Sequence, residues 1–311
     1  MMNHFAIRTE NLSRFFKSVH AVENLTLDIP RGVVFGFLGP NGAGKTTTIR
    51  LLLGLLEPSG GCAEVLGFDT RREPGRIREN TGALLEHTGL YERLSAEANL
   101  DFYGHIYRLP HHERRSRIRE LLTQFELWDR RRERVSTWSR GMKQKLAVAR
   151  AILHRPSLLF LDEPTAGLDP VAAAALREHL SSLVSGEGLT VFLTTHNLSE
   201  AEKLCVQVGV INHGKLLTVG HPDELLPQDG KVTVDVTGRG FTDELVSKLQ
   251  SRPGVTDVRQ VGYGLALELE NGSVIAPLVT LMVTEGAEIE EVRKGRASLE
   301  KTFLTLMQEE E

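Results

Sequence analysis

The run Gly39-Pro40-Asn41-Gly42-Ala43-Gly44-Lys45-Thr46 fits the pattern G-x-x-x-x-G-K-[ST] without exception. Residues of these types at this spacing can hold a triphosphate. The glycines let the backbone curl so that consecutive N–H groups face the phosphates, Lys45 neutralises the β and γ phosphates, and the Thr46 hydroxyl can ligate Mg²⁺. Thr47 completes the expected nucleotide-binding set. A second run, LLFLDEP from Leu158 to Pro164, ends an apolar stretch on two carboxylates. Asp162 is placed to reach the Mg²⁺ shell, and Glu163 to polarise an attacking water as general base. In a third run, VFLTT is followed by His196, an imidazole at the carboxyl end of a strand, where it is expected to sense the γ-phosphate. The fourth, Trp138-Ser139-Arg140-Gly141-Met142, sets a serine at the head of a helical pattern that continues through Leu146, Ala149 and Ile152. With Ser139 as N-cap, the unpaired N–H groups of the first turn suit an anion.

The elements needed to position these groups are legible around them. RGVVFGFLG reads as an apolar strand ending at glycine, and GAGKTTTIRLLLGLL as a helix with Ile49, Leu52, Leu53 and Leu56 on its apolar side. Strand, glycine loop and helix is the order a phosphate site needs. SLLFLDEP and GLTVFLTTH read as two more buried strands with a helix after Pro170 between them, so a parallel sheet covered on both faces is expected. Two short strands, Phe5 to Leu12 and Leu25 to Ile29, precede it, with a turn around Lys17 to His20. From about Leu90 to Thr137 the pattern is helical and charged, with Ile118, Leu121, Leu122 and Phe125 on one apolar face.

After about Pro227 the composition shifts. VTVDV, TDELVSKLQSR, VTDVRQV, LALELE, VIAPLVTLMVTEG and EIEEVRK read in turn as strand, helix, strand, strand, helix and strand. That is βαββαβ, a small ferredoxin-like α+β module, with a final helix expected from Ser298 to Met307. The expected division is therefore an α/β nucleotide-binding domain over 1–227, with a helical subdomain at about 90–150, and an accessory domain over 228–311. The accessory domain could regulate, support dimer formation or shield the site.

The 311 residues carry a formal net charge of −4, with 41% hydrophobic and 25% charged residues, an ordinary globular composition. That balance argues against a large nucleic-acid surface, and the short basic runs from Arg71 and Asp129 read as solvated faces. The longest apolar run, VIAPLVTLMV, falls short of the ~18 residues of a membrane span and contains Pro277, so the chain is not expected to cross a bilayer. The opening MMNHFAIRTENLSRFF lacks the marks of a secretory signal, and Cys62 and Cys205 belong to no Cys/His cluster. Both observations point to a reducing cytoplasm.

Taken together and in this order, the four runs resemble those of the ATP-binding cassette (ABC) ATPases. WSRGM looks like their LSGGQ signature, Ala166 to Asp169 (AGLD) like their D-loop, and His196 like their switch histidine; the resemblance covers about residues 3 to 225. It implies a P-loop NTPase fold, with a RecA-like core, an antiparallel β subdomain and a helical signature subdomain. It also implies ATP and Mg²⁺ as cofactors, and a head-to-tail pair of subunits in which Ser139, Arg140 and Gly141 of one face the ATP held by the other. By the same resemblance Phe16 stacks on adenine with Val22 beside it, Asp169 belongs to the nucleotide site, and Glu86 stands at the Q-loop position as a metal contact. Arg140 replaces a glycine, which would be costly if the position needs φ > 0, and its guanidinium could add a phosphate or ribose contact. Within the family the chain is similar to the ATPase subunits of bacterial exporters of the drug-resistance type. The implied partners are a separate membrane permease, received near Leu84 to Tyr103, and a second ATPase subunit, with no nucleic acid. The implied location is cytoplasmic, on the inner face of the cell membrane. A soluble ABC-type ATPase acting on ribosomes or DNA is the alternative, but it would carry tandem cassettes or a coiled-coil insertion, and this chain has neither.

Overall fold

The structure is a computed structural model that describes residues 4–225, 231–262, 264–270 and 273–295. The chain divides between Pro222 and Asp223 into two compact units.

The first unit opens with β1 (Phe5–Phe16) and β2 (Val19–Pro30), followed by β3 (Val34–Leu38), α1 (Lys45–Leu52), β4 (Gly60–Val65) and the two-residue β5 (Phe68–Asp69). Next come α2 (Pro74–Asn80), β6 (Thr81–Leu84), α3 (Ala96–Ile106), α4 (His111–Gln124) and α5 (Arg140–Ala151). The unit closes with β7 (Leu158–Asp162), α6 (Pro170–Glu187), β8 (Thr190–Thr195), α7 (Leu198–Leu204), β9 (Gln207–Asn212) and β10 (Lys215–Gly220). Its strands form an antiparallel sheet in the order β2-β1-β4-β5 and a six-stranded sheet in the order β10-β9-β3-β8-β7-β6.

The six-stranded sheet is parallel from β9 to β6, because each of these strands is reached by a crossover. The parallel sheet carries one antiparallel strand at its edge. Strand β10 returns antiparallel to β9 across a two-residue turn in which His213 and Gly214 both have positive φ, the backbone of a tight hairpin. Strands β1 and β2 extend further than expected, meeting at Phe16 and Val19 so that only Lys17 and Ser18 turn. Asn11 and Asn24 sit at positive φ, and the β1–β2 register shifts between Thr9 and Leu12. Such irregularities interrupt the apolar/polar alternation by which a strand is read.

Phe35, Phe37 and Phe160 each pack against Phe192 with ring centroids 5.5–5.6 Å from it, and all four are fully buried. Each contributes about 1.5–3 kcal/mol by leaving water, and together they fix β3, β7 and β8 side by side. In the helical part of this unit, Ile118, Leu121, Leu122 and Phe125 bury the predicted face of α4.

Just beyond α5, His154 lies flat on Tyr107, with ring centroids 3.8 Å apart and planes 8° from parallel. Its Nε2 is 3.1 Å from the Thr81 carbonyl oxygen and therefore carries the proton, while Nδ1 is buried without a partner. Burial first, and the nearby Arg150 charge second, depress its pKa from 6.5 to about 4, against the opposing pull of the Thr81 carbonyl. The folded state thus favours neutral His154. Stability from this site is complete above the unfolded pKa of about 6.5 and is lost as pH falls from there towards 4, by about 2–3 kcal/mol. Urea midpoints at pH 7.5 and 4.5 are expected to show that loss, and His154→Gln is expected to remove this part of the pH dependence.

The second unit contains β11 (Lys231–Arg239), α8 (Asp243–Gln250), β12 (Val255–Val261), β13 (Gly264–Glu270), α9 (Ile275–Thr284) and β14 (Glu288–Gly295). Its four strands form an antiparallel sheet in the order β12-β13-β11-β14, the ferredoxin-like topology. Val234, Val236, Leu245, Leu249, Leu267 and Met282 lie in a core of its own. The helix expected from Ser298 to Met307 falls outside the described residues. No helix among the described residues is long and apolar enough to cross a membrane.

Candidate functional site

The loop between β3 and α1 curls as its glycines require. Gly44 has φ +107, and a Cβ there would run into the Ala21 carbonyl; one at Gly39 would run into that of Ile211. The loop therefore lies against neighbouring backbone at both ends, where only glycine fits. α1 starts without a side-chain cap, so its first N–H groups remain open towards the loop.

Lys45 is 6% exposed and its ammonium points back into the loop, donating to the carbonyls of Gly39 at 2.7 Å and Pro40 at 3.1 Å. It also pairs with Glu163 Oε1 at 3.2 Å. The Thr46 hydroxyl donates to Asp162 Oδ2 at 2.7 Å, and the Thr194 hydroxyl to Asp162 Oδ1 at 2.5 Å. Asp162 and Thr194 are register partners on β7 and β8, so pairing alone sets these two side chains next to each other.

Glu163, one residue past β7, has φ +49, a left-handed conformation that costs a non-glycine residue roughly 1–2 kcal/mol. Its N–H is held by the Thr194 carbonyl at 3.1 Å and the Thr194 hydroxyl at 3.0 Å. Its carboxylate is braced on both oxygens, by Lys45 on Oε1 and by His196 Nδ1 on Oε2 at 2.6 Å. Nδ1 is the donor in that contact, which turns Nε2 outwards.

A cleft of about 910 Å³ opens over these groups, lined by Lys45, Thr46, Thr47, Glu86, Asp162 and Glu163 on one side and by Arg140, Gln144 and Ala166 on another. Val19 and His20 close it at the β1–β2 turn. One expectation is corrected there. Val22 is fully buried in the core and offers no surface to a base. The ring of Phe16 is exposed, with the Arg14 guanidinium 4.6 Å from its centroid.

For Mg²⁺ the donor set fits in part. Thr46 and Asp162 bring a hydroxyl and a carboxylate oxygen together, which suits a hard cation completed by phosphates and water. Glu86 lines the same cleft, but its carboxylate faces Arg50 at 3.5 Å rather than the Thr46–Asp162 pair.

On α5, Ser139 is the N-cap, accepting from the Met142 N–H at 3.3 Å, and Arg140 and Gly141 follow in the first turn with no intrahelical acceptor for their N–H groups. Arg140 takes helical dihedrals without positive φ, which removes the backbone objection to a non-glycine residue here. Asp169 spends Oδ1 on capping α6, accepting from Val171 at 3.0 Å and Ala172 at 2.9 Å, and it does not line the cleft. Thr194 and Gln144, which touch Asp162 and the segment after Glu163, belong to the site although the sequence runs that point to it assign neither a role. The hydroxyl before TH in TTH was a signal for Thr194; Gln144 had none.

Residues 22–166 match the family described as ABC transporter. The chain is 36% identical to the daunorubicin resistance ATP-binding protein DrrA3 of Streptomyces coeruleorubidus, over 97% of this chain and 95% of that one. Among solved structures it is similar to an ATP-binding subunit of an ABC transporter, at 32% identity and TM-score 0.64, covering 71% of this chain and 91% of that one. It is also similar to a dimeric ATP-binding cassette in a post-hydrolysis state bound to ADP and Pi, at 25% identity and TM-score 0.63, covering 69% and 98%.

Proposed function

The chain belongs to the ABC transporter family of ATP-binding subunits, and from that premise we infer that it is the ATP-hydrolysing motor of a two-component exporter of drugs, lipids or other amphiphiles. ATP-binding subunits of this family work with membrane permease components. The exporter reading rests on one observation: the likeness to a daunorubicin resistance protein runs over 97% of the chain and so includes the ferredoxin-like unit. We assign the nucleotide chemistry to residues 1–227, with the helical subdomain at about 90–150, and an accessory role to 228–311.

In this reading the triphosphate takes the loop N–H groups and the Lys45 ammonium. Phosphate competes with Glu163 for that ammonium, so binding frees Oε1 to accept a proton from the attacking water as its oxygen bonds to the γ-phosphorus and the bond to the bridging oxygen breaks. Mg²⁺ held by Thr46 and Asp162 would neutralise charge on the β and γ phosphates. His196 keeps the carboxylate aimed. Two copies, packed head to tail, would set the Ser139–Gly141 turn of each against the nucleotide of the other, on the inner face of the cell membrane.

The permease is proposed to dock near Leu84 to Tyr103. Tyr91 and Phe102 are exposed there and pack edge to face at 4.9 Å, an apolar patch on the same segment as the cleft-lining Glu86. The test is purification of tagged Glu163→Gln protein from its native cell in mild detergent with ATP, with mass spectrometry of what accompanies it. A stoichiometric multi-span membrane protein is expected, and Phe102→Glu in the same background should lose it. Separately, Phe102→Glu in an otherwise unaltered chain should keep its basal ATPase rate. Recovery with ribosomes or nucleic acid alone would overturn the exporter reading.

A further inference from the structure

The segment from Glu163 to Leu168 is gripped by α5 through two residues one helical turn apart. Gln144 Nε2 donates to the Pro164 carbonyl at 2.7 Å. Arg140, four positions earlier and so on the same face of the helix, rests its guanidinium against Gly167, where an added Cβ would fall on Nη1 and Cζ. Gly167 has φ +70, so the loop and the arginine are fitted to one another by the missing side chain.

The position of the Gln144 bond in the chain gives it its consequence. Glu163 is strained at φ +49, and its N–H is fixed from β8 by Thr194. On its carboxyl side comes Pro164, whose ring fixes its own φ. Holding the Pro164 carbonyl therefore leaves few soft torsions between two anchored peptides, and those torsions set the direction in which the Glu163 side chain leaves the backbone towards Lys45 and His196. Loss of the Gln144 bond would remove the anchor beyond Pro164 and leave the strained Glu163 backbone to the Thr194 contacts on its N–H and the Ala166 N–H on its carbonyl at 3.1 Å.

We propose that Gln144 is a positioning residue for ATP hydrolysis: from the helix whose N-terminus receives an anion, it sets the Glu163 carboxylate through the Pro164 carbonyl, so that a shift of that helix alters the base. Arg140 on Gly167 is the second point of the same grip. The proposal rests on the reading of Glu163 as general base.

The test is a double-mutant cycle in the full-length chain, read as kcat and KM for ATP. Gln144→Ala is expected to lower kcat about 10–30-fold with KM within about twofold, the signature of an interaction that matters in the transition state. Gln144→Glu keeps the size, removes the donor and sets an acceptor against an acceptor, so it should be equally impaired. Gln144→Lys, which restores a donor, should recover most of the rate. In the Glu163→Gln background, Gln144→Ala should cost less than about twofold more, because a residue acting through Glu163 has nothing left to position. A multiplicative loss in that background would overturn the proposal while leaving the general base in place, as would a rise in KM with kcat unchanged, or wild-type turnover in Gln144→Glu. Near-normal turnover of Glu163→Gln alone would overturn the base reading, and the proposal with it.

Discussion

Glu163→Gln is expected to slow ATP hydrolysis about 10²–10⁴-fold, the range a positioned general base contributes. The substitution keeps the side chain's size and the backbone contacts to Thr194, so the loss falls on proton acceptance and on the charge facing Lys45. ATP binding should hold or tighten, since the carboxylate that competes with phosphate for the Lys45 ammonium is gone. Single-turnover hydrolysis beside equilibrium ATP binding checks both parts. Turnover within tenfold of the unaltered chain would contradict the role given to Glu163.

Lys45→Ala should act on binding itself. The ammonium is almost entirely buried and is fixed by two carbonyls and a carboxylate. A charge-assisted bond to phosphate contributes about 1.5–3 kcal/mol, so the Kd for ATP should rise about 10–100-fold. The variant also leaves the Glu163 carboxylate without its cation, directly beside the phosphates, which adds repulsion. Lys45→Arg should not rescue, because a planar fork cannot occupy a space shaped round a single ammonium. Calorimetric titration with ATP would decide, and a Kd within threefold of the unaltered protein would remove Lys45 from the phosphate site.

Much of this arrangement could be read from residue order because its strongest parts are local. The loop from Gly39 to Thr46 carries its geometry in its own glycines, and the apolar strands that end at Leu38, Asp162 and Thr195 are continuous runs that leave little choice of structure. The ferredoxin-like unit was legible because its strands and helices change period cleanly. What escaped depended on pairing. β6 is TGAL, with a glycine and little β preference of its own, and it is a strand because β7 lies beside it. β9 and β10 were not read either, although their hairpin turn is spelled His213-Gly214. Within the site, Val22 looked available to a base because a resemblance transfers positions along the chain but not exposure. Gln144 could not be weighed because the carbonyl it meets lies 20 positions away on another element.

The strand order also bears on how the chain reaches its active form. Thr46 and Asp162, which must touch for the site to exist, are 116 positions apart, and the contact spans the separately wound pieces β3 and β7 with β8 between them in the sheet. Closing a loop of that length is entropically opposed until the strands have found their parallel register, and such pairings form slowly. A one-residue slip of β7 against β8 would turn Asp162 to the opposite face of the sheet. Competence for hydrolysis is therefore expected late in folding, after much of the local structure of a nascent subunit has formed.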